Sequence, residues 1–144
     1  MHPIDHRFDS AIRCGEFFSA NPDRRKHKFA SACGVYPPHC GLRAVHMSWG
    51  SGEWMYQLLL QNRTSLSQEA LFCVRYSRFE ALGLRGAYQH LLSDDDRAML
   101  PWLTTLQRAR ARAFDCPEPL PSLDVVRAAY QPLLRRFLNP TLFM

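Results

Sequence analysis

The stretch that most constrains the fold is SLSQEALFCVRYSRFEAL, residues 65–82. Leu66, Ala70, Leu71, Phe72, Val74, Tyr76 and Phe79 cover more than half of a helical circumference. A helix with so wide an apolar surface has to be enclosed by other elements. Ser65-x-x-Gln68 fits a capping box and sets its expected start, and Gly83 its expected stop.

The other segments carry helix signals as well. Asp9 and Ser10 suit the start of a short helix, and a second is expected from Asp23 to Cys33, stopped by Gly34. A short helical piece is expected from Leu42 to Trp49, and a helix over Glu53–Asn62 with Ser51 as its cap. Ala87–Leu92 reads as a short helix. Ser93 caps the run Asp94-Asp95-Asp96, whose carboxylates suit the positive end of a helix dipole. Pro101 either kinks that helix or opens a new one, and Pro132 interrupts the last one, which begins at Leu123. Strand alternation is short, and no Asn-Gly or Asp-Gly hairpin signal occurs. The expected fold is therefore all-α, an irregular bundle of five to seven helices joined by short loops. At 144 residues the expectation is a single helical domain, 1–144, with a basic segment 1–50 packed on a body 51–144.

No apolar run approaches a membrane span, and the N-terminus lacks the apolar core of a signal peptide, so a cytoplasmic protein without membrane attachment is expected. Five cysteines, Cys14, Cys33, Cys40, Cys73 and Cys116, read as free thiols.

Net charge is +5, and sixteen of the eighteen cations are arginine. Residues 1–48 hold seven cations against four carboxylates. Arg24-Arg25-Lys26-His27-Lys28 concentrates this excess, and bound phosphate would relieve the repulsion within it. The leading expectation is a non-enzymatic accessory or regulatory protein that contacts nucleic acid, or a nucleoprotein complex, through phosphate. Its contacts would be Arg24, Arg25, Lys26, Lys28 and Arg43, joined by Arg75, Arg78, Arg85, Arg108 and Arg112. Arg85 lies in the Gly-Leu-Arg-Gly turn, which has the form of a backbone-clamping loop but lacks flanking strands. The alternative is a protein–protein adaptor or inhibitor with an aromatic and arginine patch including Trp54, Tyr56, Phe72, Phe79 and Trp102.

A minor alternative is a small zinc-stabilised domain on His27, Cys33, Cys40 and His46, although neither half has a tight ligand pair. Asp94–Asp96 is accounted for by the helix dipole rather than by Mg²⁺. Ser51 lies between glycines but not in a nucleophile elbow, and neither a Walker A loop nor a dinucleotide fingerprint occurs. No cofactor is expected.

Overall fold

The computed structural model describes residues 1–12, 15–115 and 119–143. Cys14 and Cys116 lie outside the described residues. Among the described residues there are six α-helices and no strand. They are α1 (His27–Ala30), α2 (Ser51–Gln61), α3 (Gln68–Tyr76), α4 (Glu80–Gly83), α5 (Asp94–Asp115) and α6 (Leu123–Phe137). The all-helical expectation holds. No described helix is long and apolar enough to cross a membrane.

The N-terminal third is less regular than expected. Short 3₁₀ helices occupy Gly15–Ala20 and Pro22–Arg25, and α1 is one turn long. Residues 42–49 hold turns instead of a helical piece, and Gln89–Leu91 is a 3₁₀ turn. This third is held down by backbone pairing. Pro3 bridges Met47, Ile4 N–H donates to the His46 carbonyl at 2.7 Å, and Asp9 N–H donates to the Tyr88 hydroxyl at 3.0 Å. Gly34 takes a left-handed φ of 62° where the chain passes against the backbone of Asp5 and His6, leaving no room for a side chain.

The core is built from Leu42, Tyr76, Phe79, Leu82, Leu91, Leu92 and Leu103, each at most 2% exposed. Full burial of each such side chain contributes roughly 1.5–3 kcal/mol before conformational entropy is counted. α3 supplies Leu71, Phe72 and Tyr76, and it packs between α2 and α5.

Two expected boundaries moved. The cap of α3 is Ser67, whose hydroxyl accepts from Ala70 N–H, while Ser65 bonds to backbone of residues 136 and 137. The long helix over 65–82 breaks after Tyr76, because α5 supplies partners for the freed carbonyls there. Pro101 and Pro132, by contrast, sit within continuous helices. Ser93 and Asp96 form a reciprocal cap at the start of α5: Asp96 N–H donates to Ser93 Oγ at 3.2 Å, and Ser93 N–H to Asp96 Oδ2 at 3.1 Å. The same carboxylate accepts from Leu42 N–H at 2.8 Å and so fastens the connection between α1 and α2 to α5.

Candidate functional site

Buried polar side chains meet where the start of α2, the end of α3 and the middle of α5 come together. Glu53, in the first turn of α2, is 9% exposed and accepts from Arg75 Nε at 2.6 Å, Arg75 Nη2 at 3.3 Å and Gln57 at 2.8 Å. The guanidinium lies over the rings of Tyr56 and Tyr76. Burial works against its charge, but the Glu53 hydrogen bond and the neighbouring acidic groups more than offset this, so its pKa stands above the ordinary arginine value. Gln107 donates to the carbonyls of Tyr76 and Ser77, each at 3.4 Å, and Arg110 donates to that of Ser77 at 3.2 Å. Helix ends leave carbonyls without intrahelical partners, and these two α5 side chains satisfy those of α3. The Tyr76 hydroxyl and Gln107 Oε1 are buried without a hydrogen-bond partner. Burial raises the Tyr76 pKa strongly, so the phenol stays neutral. This junction fixes three helices, and it contains an ion pair, an amide and a second arginine rather than a nucleophile–base pair.

A second polar group joins the N-terminal segment to the body. His6 Nε2 is 2.9 Å from His90 Nε2, and the rings are stacked with centroids 5.2 Å apart. His6 Nδ1 lies 2.6 Å from the Arg7 carbonyl and is therefore the donor there, so His6 Nε2 accepts from His90. Burial first, then the neighbouring His6, lowers the His90 pKa. His39 Nδ1 is 2.7 Å from an Arg97 Nη2 that can only donate.

Beside His6 opens a cavity of about 600 Å³. Its lining includes Asp5, Arg7, Glu16, Asn21, Asp23 and Arg24, with Phe8 and Phe29 as apolar surfaces. Carboxylates, an amide and guanidinium groups around aromatic faces suit a small polyhydroxylated ligand, whose hydroxyls both donate and accept. Sequence reasoning missed this arrangement. Its residues are scattered over 29 positions, and only the Arg24 end of it showed as a charge run.

The predicted phosphate contacts are dispersed over separate elements. Arg24, Arg25, Lys26 and Lys28 are exposed on the turn before α1 and on α1 itself, with Lys26 paired to Asp23 at 2.8 Å and both lysines over the Phe29 ring. Arg43 is exposed on a loop, Arg78 after α3, and Arg108 and Arg112 on α5. Arg75, expected at an exposed rim, is engaged with Glu53. Arg85 donates to the carbonyl of Ala11, so it serves the fold. The zinc set does not assemble either. Among the described residues no group of three or more His, Cys, Asp or Glu is placed to hold a metal ion. Cys33, Cys40 and Cys73 are free thiols.

Comparison with known proteins overturns the nucleic-acid and adaptor readings, together with the nucleoprotein partner. The model of the family described as myo-inositol oxygenase matches residues 1–143. Human inositol oxygenase is 38% identical over 132 residues, covering 89% of this chain and 44% of the relative. The mouse protein is 36% identical over 137 residues, covering 92% and 46%. Inositol oxygenase 1 of Arabidopsis thaliana is 37% identical over 106 residues, covering 74% and 34%. The chain thus spans a little under half the length of these mammalian relatives. A family match over nearly the whole chain, with relatives at 36–38% identity, settles the kinship: the chain is a member of the myo-inositol oxygenase family.

Proposed function

We propose that this chain takes part in inositol oxygenase chemistry and that its contribution is to hold the polyol in the cavity beside His6. The observation that carries the proposal is the mixed polar and aromatic lining of that cavity in a chain of this family. Inositol is a ring of hydroxyl-bearing carbons. Glu16 and the free oxygen of Asp23 are suited to accept from adjacent hydroxyls, Arg7 and Asn21 to donate to others, and Phe8 and Phe29 to cover the C–H faces.

Oxidation of such a substrate by dioxygen requires a redox group, a transition metal or an organic cofactor, which supplies the one-electron chemistry. A non-haem iron centre needs about two histidines and a carboxylate converging on one point. The donors among the described residues do not fit that need. His6 and His90 are hydrogen-bonded to each other, His39 faces Arg97, and the described residues bring no third ligand to either group. The part that these residues are suited to play is therefore polyol binding.

Calorimetric titration with myo-inositol tests the assignment. Binding is expected, weakened roughly tenfold in Glu16→Gln and Arg7→Gln, since each removes one charge-assisted hydrogen bond. Absence of binding, or binding indifferent to both substitutions, would refute it.

A further inference from the structure

One side of the cavity beside His6 is a continuous piece of chain, residues 2–8. Its first half is paired backbone to backbone. Ile4 N–H donates to the His46 carbonyl, Val35 N–H to that of Asp5 and Ser48 N–H to that of His2. Its second half is joined to the body through rings. His6 Nε2 meets His90 Nε2 at 2.9 Å, the Tyr88 ring stands edge-on to His6 at 5.2 Å, and the Tyr88 hydroxyl accepts from Asp9 N–H. The body side of this joint is strained. Tyr88 has a φ of 59° and His39 one of 58°, a left-handed setting that residues with side chains seldom take. His39 N–H donates to the His90 carbonyl, so both strained residues hold His90 in place.

We propose that His90 is a positioning residue for this cavity, and that with His6 and His39 it forms a latch on the cavity wall that protons open. His6 Nδ1 donates to the Arg7 carbonyl, so in the neutral pair His6 Nε2 is bare and accepts from His90. A first added proton settles on His90 Nδ1 and leaves that bond in place. A second has His6 Nε2 to go to. It sets N–H against N–H and two cations side by side, at a residue only 8% exposed. His39 answers to the same signal. Its Nδ1 lies 2.7 Å from Arg97 Nη2, which only donates, and 3.2 Å from the Leu92 carbonyl, which only accepts. The bare nitrogen serves the arginine; the protonated one serves the carbonyl and meets the arginine as a like charge. Around His90, burial and His6 oppose a positive charge, as do Arg7 and His39, while Asp9 favours it. The Tyr88 phenol is kept neutral by burial. Ligand and latch are then linked. A polyol held between Arg7 on the wall and Glu16 and Asp23 needs the wall in place, so it binds the closed latch and keeps it closed. This link rests on polyol binding in that cavity; the latch itself does not.

Calorimetric titration with myo-inositol at about pH 7.5 and about pH 5, with hydrogen exchange followed in parallel, tests it. Affinity is expected to fall roughly tenfold across that interval. The protection factor of the Asp9 amide should fall with it, while that of Leu103 in the middle of α5 holds. Saturating inositol should return protection to Asp9 at the acid end. His90→Gln removes the titrating partner but meets either form of His6, because an amide offers both an N–H and a carbonyl. This variant should bind like the wild type at the upper pH and keep its affinity at the lower. It leaves Glu16 and Asp23 untouched, so a fall caused by their protonation would persist in it. His90→Ala should weaken binding at both pH values. Equal wild-type affinity at the two, or a His90→Gln profile as steep as the wild type's, overturns the proposal. Binding at neither pH refutes polyol binding in the cavity. The latch is then decided by exchange alone, and Asp9 protection that ignores acid, or that falls equally in His90→Gln, overturns it.

Discussion

Glu53 and Arg75, 22 residues apart in sequence, form a two-pronged ion pair whose side chains are 11% and 17% exposed. The pair ties the first turn of α2 to the last turn of α3. Both charges are largely withdrawn from water, so each is costly without the other. Arg75→Ala should destabilise the chain by about 2–3 kcal/mol in urea unfolding, and Glu53→Ala by a similar amount. Replacing both together, Glu53→Leu with Arg75→Met, should cost clearly less than the two single changes summed, because no charge is left stranded. Additive losses would show that the two groups do not stabilise each other.

The His6–His90 contact makes stability depend on pH. Burial, then the neighbouring His6, set the folded pKa of His90 below its unfolded value of 6.5; Arg7 and His39 lower it further and Asp9 opposes them. The contribution is therefore complete above pH 6.5. It is lost as pH falls from there through the lower folded value, since the unfolded chain takes up the proton first. The melting temperature should drop over that window, and His90→Gln should flatten the drop. A wild-type profile that is flat between pH 7.5 and pH 5 by order of magnitude of the histidine range would contradict this.

Asp96 is 6% exposed and serves two amides, those of Leu42 and Ser93. Asp96→Ala should cost roughly 2 kcal/mol, more than an ordinary cap, because the Leu42 N–H stays buried without its acceptor. Hydrogen exchange at Leu42 reports this directly: its amide should lose protection in the variant while amides in the middle of α5 keep theirs. Equal loss at both would mean that the whole helix depends on the cap and not the loop alone.

Features written in neighbouring residues were legible in the sequence. Ser93-x-x-Asp96 is local chemistry and was read as a helix start, and the apolar circumference of α3 announced a buried helix. Ser65-x-x-Gln68 fits the four-residue capping pattern, yet Ser67 is the cap. What decides the matter is Ser65 hydrogen-bonding to backbone 71 and 72 positions away, which local pattern does not contain. The break after Tyr76 was hidden for the same reason, since its carbonyl partners Gln107 and Arg110 come from another helix. Arg75 looked like a surface cation because Glu53 is far off in sequence. The oxygenase kinship left no readable mark, as the cavity residues form no short motif and the described donors assemble no metal centre. Net positive charge supplied the nucleic-acid reading by default, and the match to the myo-inositol oxygenase family overturns it.

Gly52 puts the packing of α2 on α3 to a direct test, since two opposing effects meet there. A Cβ at this position would stand 2.5 Å from the Arg75 carbonyl oxygen and 2.9 Å from that of Val74, both backbone atoms that cannot rotate aside. Glycine-to-alanine in a helix interior normally stabilises by up to about 1 kcal/mol. Overpacking of a fixed contact costs about 1–3 kcal/mol. The collision should prevail, so Gly52→Ala is expected to lower stability by roughly 1–2 kcal/mol and to loosen the Glu53–Arg75 pair one residue away. A double-mutant cycle of Gly52→Ala with Arg75→Ala measures that coupling. If Gly52→Ala stabilises the chain, the close approach of the two helices is wrong, and with it the geometry of the whole polar junction.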